Sequence, residues 1–431
     1  MKNINNIINY KVGVVGLGYV GLPLAIEFGK KFSTVGYDIS EEKINNFKNK
    51  LDQSKIINKN DFYLSKKLLF TNNSKFLSTC KYIIICIPTP IKINHNPDLN
   101  LLRKATIAVA KNLKKNSVII YESTVYPGCT EDFCIPIIEK YSLLKWKKDF
   151  NVGYSPERIN PGDKINTVKN IIKIVSGDNN LTVKKIFYLY SNIIKKLHIV
   201  SSIKIAEAAK IIENTQRDLN IALMNEFSII CKKLNINTSE VISAAATKWN
   251  FIKFIPGLVG GHCIGVDPYY LAYKAKILKY KSKVILSGRS LNESMVGYVC
   301  NLINSSLNIK GKKILFIGIT FKENCSDIRN SKNLELLKLL SKKTNKISVC
   351  DYMVNLNELT YFLKNKLINI NSIKRKGKFD IVILAVPHYN YSKISLARYQ
   401  SFLKKNGLFV DLKGIFNIKI LKNKKINYLT M

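Results

Sequence analysis

Apolar and polar positions along this chain follow two different periods. Lys11–Gly16, Thr34–Asp38, Tyr82–Ile87 and Ser117–Glu122 are short, nearly unbroken apolar runs, and Asn151–Tyr154 and Ile171–Ser176 add two more. Runs of this length are what buried strands look like. Val20–Lys31 and Glu41–Lys50 lie between strands with helical spacing. Strand–helix alternation predicts a parallel, doubly wound sheet. From Ile203 to about Leu234 the period lengthens: Ala206, Ala209, Ile212, Ala222 and Leu223 recur at helical spacing, and neither Pro nor Gly interrupts. One long helix is expected there. A shorter one follows over Ser239–Ala246, then an aromatic, Gly-rich loop from Trp249 to Asp267 and another long helix over Leu286–Leu307.

After Asn308-Ile309-Lys310-Gly311, which reads as a linker, the alternation restarts. Lys313–Ile319, Lys346–Asp351, Phe379–Val386 and Gly407–Leu412 read as strands, with Asn333–Ser341 as a helix. The fold class is therefore α/β: two Rossmann-like doubly wound domains joined by a long central helix. The expected boundaries are 1–202 for a dinucleotide-binding domain, 203–307 for a central helical domain, and 308–431 for a second Rossmann-like domain. Long central helices commonly supply a subunit interface, so a homodimer is expected.

Composition changes this picture little. Hydrophobic residues make up 46% of the 431 and aromatics 10%, enough for packed cores, which excludes wholesale disorder. No apolar run is long and clean enough for a membrane span. The nearest, Val12–Phe28, carries Gly13, Gly16, Gly18, Gly21 and Pro23 and reads as a turn rather than a secretory leader. The formal net charge is +40, from 69 Lys+Arg against 29 Asp+Glu. These charges are spread among Asn and Ile through the whole chain rather than gathered in a tail or patch, so specific nucleic-acid binding is not expected. The nine cysteines are an odd number at wide spacings, which argues for a reducing, cytoplasmic setting without a disulfide framework. Neither Cys129/Cys134 nor His262-Cys263 has the spacing of a familiar zinc site, so no metal is expected.

Three segments carry candidate chemistry. Gly16-Leu17-Gly18-Tyr19-Val20-Gly21 fits G-x-G-x-x-G, follows a strand, opens a helix, and is followed by Asp38 at the end of the next strand. Gly16 permits the turn, Gly18 lets backbone N–H groups approach a pyrophosphate, and Gly21 lets helix and strand pack closely. Asp38 would accept from ribose hydroxyls and repel a 2′-phosphate, so NAD is expected rather than NADP. Glu207, Lys210 and Asn214 fall at offsets of three and four, hence on one helix face. They are either a solvated charged stripe or, given Ala206, Ala208, Ala209, Ile211 and Ile212 around Lys210, a lysine and an amide set to hold an oxyanion or a water. The third segment runs Gly257-Leu258-Val259-Gly260-Gly261-His262-Cys263-Ile264-Gly265-Val266-Asp267-Pro268. A cysteine is usually a small buried hydrophobe, but one displayed in a Gly-rich loop is a candidate nucleophile.

These motifs together resemble the UDP-glucose/GDP-mannose dehydrogenase family, and most of all its UDP-N-acetylhexosamine 6-dehydrogenase branch, which feeds capsule and O-antigen synthesis. The likeness runs from about Lys11 to near Leu412. It is carried by GLGYVGLPLA from Gly16, ESTVYPG from Glu122, YSPERINPGD from Tyr154, AEAAKIIENTQRDLNIALMNE from Ala206, PGLVGGHCIGVDPYYL from Pro256 and TFKENCSDIRNS from Thr320.

The resemblance implies a four-electron oxidation of a UDP-sugar at C6, in two NAD-linked steps through a thiohemiacetal and a thioester on Cys263. It implies that Asp267 helps position the hydrolytic water, that Lys210 and Asn214 stabilise oxyanions, that Glu157 serves thioester hydrolysis and that Thr124 holds the water. For NAD it implies the Gly16–Gly21 loop including Tyr19 and Val20, with Asp38, Lys43, Thr89, Thr124 and Arg329. For the nucleotide sugar it implies Glu157, Arg158, Ile159, Asn160, Pro161, Lys210, Asn214, Gly257 and Lys322. The UDP-glucose branch has a second acid where this chain has Asn160-Pro161, which points to an N-acetylhexosamine: UDP-N-acetylglucosamine first, then the galactosamine epimer, with mannosamine or UDP-glucose behind. Near relatives often have an arginine before Pro256-Gly257, where this chain has Ile255, so one substrate contact is either missing or supplied by Lys253. Cys129 and Glu293 are also unusual for the family. A non-catalytic, polyanion-binding protein on the same fold is the alternative of a different class.

Overall fold

The computed structural model describes residues 11–53, 56–158, 170–354, 359–373, 378–416 and 427–431. The chain forms two compact units, Met1–Glu213 with Tyr269–Lys281, and Asn214–Pro268 with Ser282–Met431.

The first unit is built on an eight-stranded sheet: β1 (Lys11–Val15), β2 (Thr34–Tyr37), β3 (Leu68–Thr71), β4 (Cys80–Ile85), β5 (Ser117–Tyr121), β6 (Phe150–Tyr154), β7 (Ile172–Gly177) and β8 (Lys196–Ile199). Their order across the sheet is β3-β2-β1-β4-β5-β6-β7-β8. Neighbours are parallel except for β6 and β7, which pair antiparallel through Gly153↔Gly177 and Tyr154↔Ser176. The apolar runs that announce β1, β4 and β5 exist because helices cover both faces of a parallel sheet. Val12, Val14, Ile84 and Ile120 accordingly share one core with Leu22, Ala25 and Phe28 of the first helix, Gly21–Gly29. Strand order reverses between β1 and β4, so a crevice opens at the carboxyl ends of these strands, the usual ligand position in such sheets.

The second unit carries a five-stranded, wholly parallel sheet: β9 (Ile314–Ile317), β10 (Ile347–Cys350), β11 (Phe379–Leu384), β12 (Leu403–Asp411) and β13 (Asn427–Thr430), in the order β10-β9-β11-β12-β13. One face packs Val296, Val299, Cys300 and Ile303 of the helix Lys283–Ser306 with Leu336, Leu337 and Leu340 of the helix Lys332–Ser341. The other face packs Tyr391, Leu396, Tyr399 and Phe402.

The long helix runs over Ile203–Lys233, and the boundary between the units falls within it. Asp267 does not end a loop, as the sequence pattern indicates, but opens a helix over Asp267–Ile277. Pro268 is tolerated there because the first turn of a helix has no intrahelical partner for its N–H groups. Among the described residues no helix is long and apolar enough to cross a membrane.

Candidate functional site

In the first unit the glycine loop is built as its spacing requires. Gly16 has φ +89°, and a Cβ on Gly21 would lie 1.9 Å from the Gly16 carbonyl oxygen, so helix and strand approach at glycine-only distance. A Cβ on Gly18 would meet nothing within 4 Å. That open cradle, at the start of the helix Gly21–Gly29, fits a dinucleotide pyrophosphate. Tyr19 and Val20 are half-buried beside it. Asp38 is buried at the end of β2 and accepts from Leu17 N (2.9 Å) and Ser40 N (3.0 Å). These two bonds aim its carboxylate at the carboxyl end of the sheet, with Lys43 Nζ 3.7 Å away.

Thr89 donates its hydroxyl to the Thr124 carbonyl (2.6 Å), which joins the ends of two neighbouring strand–loop segments. Thr124 itself is half-buried. Glu157 and Arg158 follow β6; Arg158 donates through Nε to Glu213 (3.0 Å) on the long helix and through Nη1 to the Ile172 carbonyl (2.8 Å). Ile159, Asn160 and Pro161 lie outside the described residues. Glu207 and Lys210 are not a solvated stripe. Lys210 is 6% exposed, and Glu207 is fully buried, accepting from the backbone N–H of Gly128 and of Thr130. Ile212, counted among the apolar company of Lys210, instead faces outward at 53% exposure.

In the second unit, Asn214 donates its amide to Asp267 Oδ2 at 2.6 Å, both side chains being buried. The Asp267 N–H donates to the Cys263 carbonyl (2.9 Å), closing a turn that carries the thiol. Eight cysteines are buried; Cys263 is exposed. Gly261, at φ +84°, supplies the reversal before it, and its N–H and C=O are held by the Asn330 carbonyl and side-chain amide (3.0 and 2.8 Å). Gly257 is gripped at both backbone groups by Asn225 (2.8 and 3.1 Å). Lys322 is half-buried, and Thr320 donates its hydroxyl to the Lys322 carbonyl (3.0 Å). Arg329 is exposed and forks onto Asp327. That guanidinium helps hold the Asp327 carboxyl below its ordinary range against the opposing effect of burial. Partial burial and Arg329 push the His262 imidazole down.

Cys263, Asn214 and Asp267 thus form one connected group, while Gly257 is placed by a different one. Behind Asn225 runs a buried chain that the sequence pattern does not announce. Asn225 donates to Asn292 (2.8 Å), Asn292 donates to Asp218 (2.8 Å), and Arg289 donates to Asp218 (2.6 Å). Glu293 pairs with both Arg289 and Lys332. The first unit holds a second unannounced cluster, in which Lys173 meets Glu122 at 2.8 Å and Tyr190 donates to the same carboxylate. Its one sequence signal is a lysine among the apolar residues of the run Ile171–Val175. Among the described residues no group of three or more His, Cys, Asp or Glu is arranged to hold a metal ion.

Comparison with known proteins matches three parts of the chain to family models. Residues 10–194 match the NAD binding domain of the UDP-glucose/GDP-mannose dehydrogenase family, 204–294 its central domain and 315–418 its UDP binding domain. Protein CapL of Staphylococcus aureus is 45% identical over 415 residues, covering 95% of this chain and 97% of the relative. The UDP-N-acetyl-D-glucosamine 6-dehydrogenase of Pseudomonas aeruginosa is 44% identical over 413 residues, covering 94% and 97%. Among solved structures, the UDP-D-ManNAc dehydrogenase of Pyrococcus horikoshii superposes with a TM-score of 0.85 at 26% identity, covering 97% of this chain and 98% of its own.

Proposed function

The chain belongs to the UDP-glucose/GDP-mannose dehydrogenase family, and from that premise we propose that it oxidises the C6 hydroxyl of UDP-N-acetyl-D-glucosamine to the uronic acid. It is an NAD-dependent dehydrogenase; NAD, when bound, accepts the electrons removed at each of two successive oxidations. The observation that carries the cysteine route is the contrast between one exposed thiol and eight buried ones, with the exposed one held in a glycine turn beside Asp267. The glucosamine configuration is favoured because the relative named for that sugar is 44% identical, against 33% for a relative named for the mannosamine sugar.

The roles follow from the chemistry of each side chain. The first oxidation turns the C6 alcohol into an aldehyde. The Cys263 thiolate adds to that carbon, so it again bears a hydrogen that can be removed with two electrons. The second oxidation leaves a thioester. Lys210 stabilises the oxygen that becomes negative, and Asn214, which spends one amide hydrogen on Asp267, offers the other. Glu157 takes the proton of the water that cleaves the thioester, with Thr124 and Asp267 positioning that water. Asp38 and Lys43 serve the adenosine ribose, and Thr89 and Arg329 other parts of NAD. Arg158, Gly257 and Lys322 serve the nucleotide sugar. The working parts are 1–202, 203–307 and 308–431, acting in a homodimer that supplies precursors for surface polysaccharide in the cytoplasm.

NADH formed per sugar consumed tests the reading across UDP-N-acetylglucosamine, its galactosamine and mannosamine counterparts, and UDP-glucose. Two NADH per sugar is expected, with the highest kcat/KM on UDP-N-acetylglucosamine; one NADH removes the double oxidation. Cys263→Ser is expected to abolish steady turnover, and an unaltered rate would make the thiol structural.

A further inference from the structure

Lys173 is the one cation set into the apolar strand β7, and it is 5% exposed. Its ammonium donates to Glu122 at 2.8 Å, to the Ser155 carbonyl at 3.4 Å and to the Pro156 carbonyl at 3.3 Å. A lysine has three N–H donors, so this geometry engages all of them. Behind the pair, Tyr190, also buried, donates its hydroxyl to the other Glu122 oxygen. The topology explains how these groups meet. Because β7 runs against β6, its first residues lie at the carboxyl ends of the parallel strands, where Glu122 leaves β5 and Ser155-Pro156-Glu157 leaves β6.

A buried ion pair adds little to stability over a well-packed apolar pair. What this one supplies is a fixed cation whose two remaining donors clamp the carbonyls of the two residues just before Glu157. The charges are within reach of one another. Burial pushes the Glu122 carboxyl up, Lys173 opposes this, and Glu157 adds to it.

We propose that Lys173, braced by Glu122 and Tyr190, is a positioning residue that fixes the backbone presenting Glu157 and so governs the hydrolytic half of the reaction. This rests on the reading of Glu157 given above. In that half, water attacks the acyl carbon and its proton passes to the Glu157 carboxylate. The C–S bond breaks, Cys263 leaves as thiolate, and the uronic acid is released. Neither oxidation uses Glu157 as the acceptor of the water proton, so loosening its backbone slows chiefly the step after both.

The test uses the full-length enzyme with NAD and UDP-N-acetylglucosamine, recording NADH by stopped flow and quenched protein by intact mass. Lys173→Met is expected to keep a rapid burst of two NADH per active site. Its steady rate should fall by about 10²-fold, the scale of a small misplacement of a reacting group. A sugar-nucleotide acyl adduct on Cys263 should accumulate, and Lys173→Arg should recover part of the rate. Tyr190→Phe, which removes only the brace, should show the same pattern more weakly, and it decides the matter if Lys173→Met does not fold. A wild-type steady rate in both folded variants overturns the proposal, as does loss of burst and steady rate together without adduct. Glu157→Gln separates this from the reading beneath it. An adduct in Glu157→Gln but in neither Lys173→Met nor Tyr190→Phe sinks the positioning role alone. No adduct on Cys263 in any variant sinks the thioester reading itself.

Discussion

Glu207 faces into the first unit from the long helix, its carboxylate accepting from the N–H groups of Gly128 and Thr130. Burial pushes its pKa up to about 7 despite those bonds. Between its ordinary range and that value the folded chain keeps a proton that the unfolded chain has lost. The stabilisation is therefore full at low pH and declines as pH rises to about 7, by about 3 kcal/mol. Urea unfolding of Glu207→Gln should show a smaller loss of stability between pH 5 and pH 8 than wild type; equal losses would place the titration elsewhere. Glu207 was legible as a helix-face residue, but its partner was not, because Gly128 and Thr130 lie about 80 positions earlier in the chain. The same limit hid the clamp of Asn225 on Gly257. Cys263 and Asp38 could be read because their signals are local: glycines around a thiol, and an acid one strand after a glycine loop.

At the scale of elements, the turn from β1 into the first helix separates two kinds of glycine. Gly21→Ala would drive a methyl to 1.9 Å from the Gly16 carbonyl oxygen, so strand and helix must part. Gly18→Ala meets no protein atom and has no left-handed φ to strain, yet its methyl occupies the space a pyrophosphate needs. Thermal melting with NAD titration distinguishes them: Gly21→Ala should melt lower, whereas Gly18→Ala should melt within a few degrees of wild type and lose NAD affinity. Equal melting losses would mean the loop is structural only. The central strands were readable because both of their faces are buried. Three of the four edge strands were not: β8 is largely exposed and β3 partly so, and the short β13 at the edge of the second sheet went unread, whereas β10, at its other edge and mostly buried, was readable. The helices Asn100–Ala110 and Asn180–Ser191 also escaped the pattern. In this Lys/Asn/Ile-rich chain isoleucine stands at exposed positions too, as at Ile39, Ile93 and Ile172, and that blurs the polar face by which a surface helix or edge strand is recognised.

At the scale of the whole molecule, four of the apolar side chains left outside fall in line. Ile205, Ile212, Leu223 and Ile230 are all exposed and recur along the long helix at offsets that are sums of fours and sevens, which makes a stripe. A paired chain would cover it, so light scattering should give twice the 49.0 kDa chain mass, and Ile212→Lys with Leu223→Lys should reduce it to one; wild-type monomers would leave the stripe unexplained. The division of sulfur carries a chemical consequence of its own. Eight thiols are packed away, and the ninth stands in the open on a turn. An alkylating reagent of moderate size should therefore modify the native enzyme once and the denatured chain nine times. If the proposed cysteine route holds, inactivation by peroxide should follow single-hit kinetics, because the sulfur that would carry the sugar is also the one open to poisoning.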